Sequence, residues 1–174
     1  ITCEPAGELG DGEACANNCG AGLRCINTLT GGDSLCHKYC KTDDDCSSGP
    51  GSKCVLAVPQ HDDVFLCTHN CDPVSNAGCL VAEMKCDFAQ IVQQNTGFFT
   101  WCSGAGDATH GESCTSSNQC EAGHGCINAG GPTMQCLRWC NQQNPICPDA
   151  GQCLQLDPPI TIGSITYGAC QPPP

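Results

Sequence analysis

The spacing of the cysteines is the feature that most constrains how this chain can fold. After one early cysteine, Cys3, the other twenty fall into five groups of four. Within a group, three to seven residues separate the first two cysteines, five to seven the next two, and nine to sixteen the last two. Such regular spacing indicates a covalent framework of disulfides. The groups are Cys15, Cys19, Cys25, Cys36; Cys40, Cys46, Cys54, Cys67; Cys71, Cys79, Cys86, Cys102; Cys114, Cys120, Cys126, Cys136; and Cys140, Cys147, Cys153, Cys170.

The same spacing argues against other uses of cysteine. The chain contains no Cys-Cys, Cys-x-Cys or Cys-x-x-Cys. Structural zinc sites, thioredoxin-type centres, haem attachment sites and most iron–sulfur sites use pairs two residues apart, because that spacing turns two sulfurs toward one centre. We therefore expect disulfides and no cofactor.

Composition supports a fold held together by cross-links. The 174 residues include 21 Cys, 21 Gly and 12 Pro, but only two Trp, two Tyr, four Phe and two Met. Cysteine above about 8–10% marks a disulfide scaffold, and disulfides persist in oxidising compartments. We expect a secreted or cell-surface protein. The chain opens on Ile1 without a signal peptide, which suggests a processed mature protein or an excised fragment.

Charge and hydropathy restrict the partners. Eighteen acidic and six basic residues give a net charge of −12, which disfavours nucleic acid and anionic membranes. No apolar run approaches the ~18 residues that a membrane span needs, so no membrane insertion is expected. The predicted partner is another protein or a further copy of this chain.

A second repeat lies over the cysteine groups. Residues 1–70 and 102–174 resemble each other: the interval from Cys3 to Cys15 recurs from Cys102 to Cys114, and Gly-Glu-Ala-Cys recurs as Gly-Glu-Ser-Cys. Because Cys102 ends a module, Cys3 is free, bonded between chains, or recruited locally in place of another cysteine. The predicted units are an N-terminal segment 1–14, module 1 at 15–39, module 2 at 40–70, module 3 with a linker at 71–113, module 4 at 114–139 and module 5 at 140–174.

The long final loop of each group is typical of a β-hairpin. Turns are predicted at Gly31-Gly32, 59–63, 95–97, Gly130-Gly131 and 157–159, and one helical turn at 80–86. Pairing the first cysteine with the third and the second with the fourth would tie each hairpin to the preceding loop, although four cysteines allow three connectivities. Three-residue links between most modules indicate rigid junctions. The predicted fold class is small disulfide-rich, with tandem four-cysteine modules, a short β-hairpin in each, little or no helix, and an elongated rod.

One short motif carries a family resemblance. Asn18-Cys19-x-x-Gly22-x-x-Cys25 recurs as Gln119-Cys120-x-x-Gly123-x-x-Cys126. It resembles the cysteine-rich repeats related to the Dickkopf amino-terminal domain, which recur in secreted and surface proteins of myxobacteria and their relatives. The resemblance implies an extracellular location and a binding or architectural task without enzymatic activity.

The polar residues predict little chemistry. Ser34, His37 and Asp33 lie too close in sequence to form a convergent triad, and we expect the five histidines to be exposed loop residues. No catalytic motif occurs, so we expect no enzymatic activity. The densest acidic run is a weak calcium candidate, but a solvated loop is the favoured interpretation because the alternating oxygen spacing of a calcium loop is missing. Its residues are Asp43, Asp44 and Asp45.

The apolar side chains of the third and fifth hairpins are the strongest candidates for partner binding, with packing between modules as the alternative. They include Phe98, Phe99, Trp101, Ile162 and Tyr167. The first functional hypothesis is a secreted structural or adhesive protein, for example a subunit of an extracellular fibre or surface assembly. The second is a binding module such as a protease inhibitor, toxin-like effector or receptor ligand, for which the loop 157–161 is the candidate contact.

Overall fold

The disulfide framework has the pairing that ties each hairpin to its preceding loop. The computed structural model describes residues 6–27, 34–46, 48–58, 61–90 and 97–171. In all five modules the first cysteine bonds the third and the second bonds the fourth, which confirms the favoured connectivity. The ten bridges are Cys15–Cys25, Cys19–Cys36, Cys40–Cys54, Cys46–Cys67, Cys71–Cys86, Cys79–Cys102, Cys114–Cys126, Cys120–Cys136, Cys140–Cys153 and Cys147–Cys170. Cys3 lies outside the described residues, and the bridges use the other twenty cysteines.

Each module contains the predicted antiparallel hairpin. The strands are β1 Leu23–Asn27, β2 Ser34–Cys40, β3 Cys54–Val58, β4 His61–Cys67, β5 Met84–Gln90, β6 Phe98–Gly104, β7 Ser113–Cys114, β8 His124–Ile127, β9 Met134–Asn141, β10 Gln152–Ile162 and β11 Ile165–Gln171. The helical content of the described ranges is three single 3₁₀ turns, Asp43–Asp45, Ser117–Gln119 and Pro148–Ala150. None of these helices is long and apolar enough to cross a membrane.

The third and fourth cysteines of every module face each other across the hairpin. The register pairs Cys25 with Cys36, Cys54 with Cys67, Cys86 with Cys102, Cys126 with Cys136, and Cys153 with Cys170. Directly opposite residues in an antiparallel pair project from the same face of the sheet. Both sulfurs therefore reach the loop beneath the hairpin, and each bonds one of the two cysteines there. This arrangement replaces the apolar core that so small a module lacks.

Three local expectations are wrong. The hairpin of module 5 does not turn at 157–159, because these residues lie within β10 and Ile162 pairs with Ile165 around Gly163 and Ser164. Residues 80–86 do not form a helical turn; a single turn, closed by the Met84 amide on the Val81 carbonyl at 3.1 Å, leads into β5. The predicted turn at Gly130-Gly131 does lie between β8 and β9, whereas Gly31-Gly32, 59–60 and 95–96 lie outside the described residues. The rest of the turn predicted at 59–63 is wrong, because 61–63 belong to β4.

Two of the short links between modules are parts of strands. β2 pairs with β1 of module 1 and then, through Tyr39 and Cys40, with β4 of module 2. In the second half, β9 likewise pairs with β8 and, through Trp139, with β11. The resulting sheets have the orders β1-β2-β4-β3 and β10-β11-β9-β7, with β8 also on β9. The equivalence of the two halves is thus confirmed in three dimensions.

The segments before Cys15 and Cys114 also match. The amide of Gly7 donates to the carbonyl of Cys19 at 2.8 Å, and that of Gly106 donates to Cys120 at 3.0 Å. Residues 105–113 therefore lie against module 4 in the way that 6–14 lie against module 1.

Module 3 lies at the centre of the molecule. Leu35 of module 1 is buried in a cluster with Met84 of module 3. From module 2, the carbonyl of Gly51 accepts a hydrogen bond from the Thr100 amide at 2.8 Å. Modules 4 and 5 contact it through the ion pair and the aromatic cluster described below. The structure does not show the predicted elongated rod, since one module contacts all four others.

Candidate functional site

The apolar residues predicted to bind partners lie mostly inside the molecule. Phe99, Ile162 and Tyr167 are 3%, 7% and 4% exposed, while Phe98 and Trp101 are half-buried. Three of the five candidates are therefore not available to a partner in this conformation, which agrees with the alternative of packing between modules.

An aromatic cluster explains why Tyr167 is buried. Phe88 of module 3 makes edge-on contacts with Trp139 and Tyr167, with ring centroids 5.0 and 4.9 Å apart. Burial, together with the carboxylate of Asp72, raises the pKa of Tyr167 to about 12. The tyrosine therefore stays neutral and packs as part of the interface that joins modules 3, 4 and 5.

Two of the aspartates considered as calcium ligands accept hydrogen bonds from nearby backbone amides. The Asp43 carboxylate accepts hydrogen bonds from Lys53 Nζ at 2.8 Å and from the Cys54 amide at 2.9 Å. Its burial acts to raise the pKa, but these two donors outweigh burial and lower the pKa. Asp45 accepts from two backbone amides at 2.8 and 3.1 Å, which lowers its pKa. The run closes a 3₁₀ turn and ties it to β3, and a cation would compete with Lys53 for Asp43.

His37 and His69 form a buried pair where modules 1, 2 and 3 meet, which we call the histidine pair. Their rings are in contact, with centroids 4.1 Å apart and planes tilted by 34°. His37 Nδ1 lies 2.9 Å from the Cys67 carbonyl, and His69 Nε2 lies 3.7 Å from Asp11 Oδ1. Burial, followed by the neighbouring His69, lowers the pKa of His37 to about 4, so its ring is neutral at physiological pH.

The histidine pair corrects one expectation from the sequence. His37, His69 and His124 are buried and are not exposed loop residues. The Nδ1 atom of His37 is directed at a main-chain carbonyl, where it makes a structural contact. Asp33, which with Ser34 and His37 was considered as a catalytic triad, lies outside the described residues.

Sequence reasoning missed a buried ion pair of module 3, Lys85 with Asp87, that lies against module 4. The Lys85 side chain has no exposed surface, and its Nζ lies 3.4 Å from Asp87 Oδ2. It donates to the Ser117 carbonyl at 2.7 Å, to Ser117 Oγ at 3.0 Å and to the His124 carbonyl at 2.6 Å. Burial lowers the pKa of Lys85, and Asp87 opposes that shift. The sequence gives no signal that Lys85 is buried, because the Ser117 and His124 groups that enclose it lie more than thirty residues away.

A groove lies at the junction of modules 3, 4 and 5, with a volume of about 550 Å³. We call it the junction groove. Its lining is mainly apolar, and Asp157 is the one charged side chain among the lining residues. These are Phe98, Cys126, Ile127, Asn128, Ala129, Leu137, Leu154, Gln155, Leu156, Asp157, Pro158, Ile160, Ala169 and Gln171. Phe98 is thus the predicted candidate that the structure places at an accessible site.

The predicted contact loop 157–161 forms part of the same region. It lies in β10, where the pairing with β11 breaks between Gln155 and Ile160. Asp157 and Pro158 line the groove, and both are exposed. The sequence identified this segment as distinctive but gave it the role of a hairpin tip.

Comparison with protein-family models, curated proteins and solved structures yields no match for this chain. The resemblance to Dickkopf-type repeats stays a prediction.

Proposed function

We propose that this is a non-enzymatic extracellular protein with a structural or adhesive role, in which a covalently stapled scaffold presents fixed surfaces to other macromolecules. The observation that carries the proposal is the packing of all four outer modules on module 3, with every module closed by two disulfides. Such a body holds its surfaces in constant relative positions, as an assembly subunit requires. The ten disulfides indicate an oxidising environment, which supports an extracellular location.

The environment of the buried titratable groups supports a role without catalysis. A general acid or base must be within hydrogen-bond reach of a substrate. The histidine pair and Lys85 are instead enclosed where modules meet. One ring nitrogen of each histidine and the lysine ammonium contact main-chain carbonyls, while His37 Nε2 and His69 Nδ1 are buried without a hydrogen-bond partner among the described residues. These groups stabilise the junctions between modules.

A second candidate is a binding module that acts as a monomer. The junction groove favours it, because a concave, mainly apolar site with a few polar groups is the usual form of a ligand pocket. In this case the stapled scaffold would serve to keep the groove open and rigid.

Sedimentation velocity and electron microscopy of the purified protein under non-reducing conditions test the two candidates. Filaments or discrete oligomers support the structural role. A Cys3→Ser variant is the matched control, since it separates covalent linkage through Cys3 from non-covalent assembly. A protein that remains a monomer at all concentrations, with and without Cys3, contradicts the structural role and leaves the binding module as the function to pursue.

A further inference from the structure

We propose that the junction groove is a docking site for an extended segment of a protein partner that carries an aromatic side chain next to lysine or arginine. The inference deepens the binding-module candidate and rests on it. The reasons for this occupant come from the lining of the groove, from charge and from the edge of β10.

The groove has an apolar floor and an accessible lip. Leu137 and Ile160 are buried in its wall, whereas Leu154 on the same surface is 40% exposed. Its volume of about 550 Å³ lies within the ~300–1,000 Å³ range typical of ligand sites. A large side chain placed there would contact the floor and cover the exposed part of Leu154.

The lining favours an aromatic side chain in the groove. Phe98 of module 3 lines the groove and is half-buried. A partner ring placed there would contact the Phe98 ring, and aromatic pairs are stabilised beyond the burial of their area. A large aromatic side chain therefore matches the groove better than an aliphatic one.

Charge decides between a foreign partner and a second copy of the chain. The protein has a net charge of −12, and the charged residue of the groove, Asp157, is acidic and exposed. Two copies would repel each other at this surface, while a basic segment would be attracted and oriented. Lysine or arginine beside the aromatic residue would lie near Asp157.

The edge of β10 is unsuited to backbone pairing with a partner strand, so the partner must be held by side-chain contacts. β10 is the terminal strand in the order of its sheet, yet Pro158 and Pro159 lack amide protons and its register breaks there. Prolines and irregular register block the addition of a further strand. The partner would therefore be held by its side chains in the groove, with Leu154 and Asp157 as the accessible contacts.

The test uses the intact, oxidised protein and three synthetic peptides of equal length with blocked ends. One has a central tryptophan between lysines, the second has tryptophan between glutamates, and the third has alanine between lysines. Titration calorimetry measures affinity, and amide chemical shifts of the ¹⁵N-labelled protein locate the site. We expect saturable binding of the tryptophan–lysine peptide alone, weakened by salt, with shifts at Leu154, Leu156 and Ile127.

Two variants test the named contacts. Leu154→Asn should weaken binding about threefold to eightfold, the effect of losing burial of the exposed two-fifths of a leucine. Asp157→Asn should reduce the salt dependence of binding. Leu80→Asn is the control, because Leu80 is a more exposed leucine on module 3 that does not line the groove.

Several results would overturn the assignment. They are absence of saturable binding up to millimolar peptide, equal binding of the glutamate peptide, shifts confined to another surface, or self-association abolished by Leu154→Asn. If the peptide fails but a soluble partner still binds elsewhere, the groove assignment falls and the binding module stands. If the protein binds neither peptide nor partner, both fail.

Discussion

Replacement of Lys85 by methionine tests whether the junction between modules 3 and 4 depends on a buried charge. Methionine keeps the length and apolar stem of lysine but removes the ammonium group. The change eliminates three hydrogen bonds, to the two main-chain carbonyls of Ser117 and His124 and to the Ser117 hydroxyl. It also leaves Asp87 buried without its cation.

The expected loss of stability is large because both side chains are buried. Removing one member of a buried ion pair typically costs about 3–5 kcal/mol, since the remaining charge is uncompensated. Asp87 keeps hydrogen bonds from Ser117 Oγ and from the Phe88 amide, which favours the lower end of that range. For a chain of this size each kcal/mol shifts Tm by roughly 2–4 °C, so we expect a decrease of about 6–15 °C.

Thermal and guanidinium unfolding of the oxidised protein, followed by circular dichroism, measures this loss. Lys53→Met is the matched control: Lys53 pairs with Asp43 at 2.8 Å, but both side chains are partly exposed, so at most ~1 kcal/mol should be lost. The double variant Lys85→Met/Asp87→Leu should recover part of the stability, because it removes the orphaned charge as well. A loss for Lys85→Met no larger than that for Lys53→Met would refute the reasoning.

Further predictions concern packing, protonation and the disulfides. A Cβ at Gly125 would overlap the Trp139 ring, so Gly125→Ala should cost about 1–3 kcal/mol of unfolding free energy in denaturant titrations. A Cβ at Gly131 would make only an ordinary contact with the Thr133 carbonyl at 3.9 Å, so Gly131→Ala should change it little. The lowered pKa of His37 means that the unfolded state binds more protons between pH 6.5 and about 4. The stability that the neutral His37 ring contributes is complete above pH 6.5 and is lost as the pH falls toward 4, by about 3 kcal/mol. His37→Leu should therefore flatten the pH dependence of Tm in that window. Since each bridge is worth roughly 3 kcal/mol, full reduction and alkylation should abolish the native circular dichroism, and a retained spectrum would contradict this expectation. Intact-mass thiol counting should find Cys3 as the one free or interchain thiol.

The features that the sequence predicts correctly are those set by cysteine spacing and by short-range hairpin pairing. The interval from Cys140 to Cys170 defines a module, and the connectivity follows because the third and fourth cysteines are opposite each other on a hairpin. The repeat between the two halves was visible for the same reason, since it is carried by cysteine and glycine positions. The turn of module 5 could not be placed, because Pro158 and Pro159 signal a turn although they here occupy an irregular edge strand.

Packing between modules could not be read from these patterns. Lys85 is buried only because Ser117 and His124 of another module supply carbonyls to it. His37 is buried because the link between modules 2 and 3 places His69 on its ring. Both are polar residues whose surroundings come from distant parts of the chain. The groove has the same origin, since its walls belong to three modules.

The pairing of second with fourth cysteines also determines how the molecule responds to a pulling force. Each such bridge gives tension a covalent route that bypasses the hairpin, and only three residues separate several modules from the next. Stretching the ends would therefore recruit the short first loops and the links, while the hairpins stay outside the path that carries the force. The length that force can extend is therefore confined to those loops and links until a disulfide is reduced.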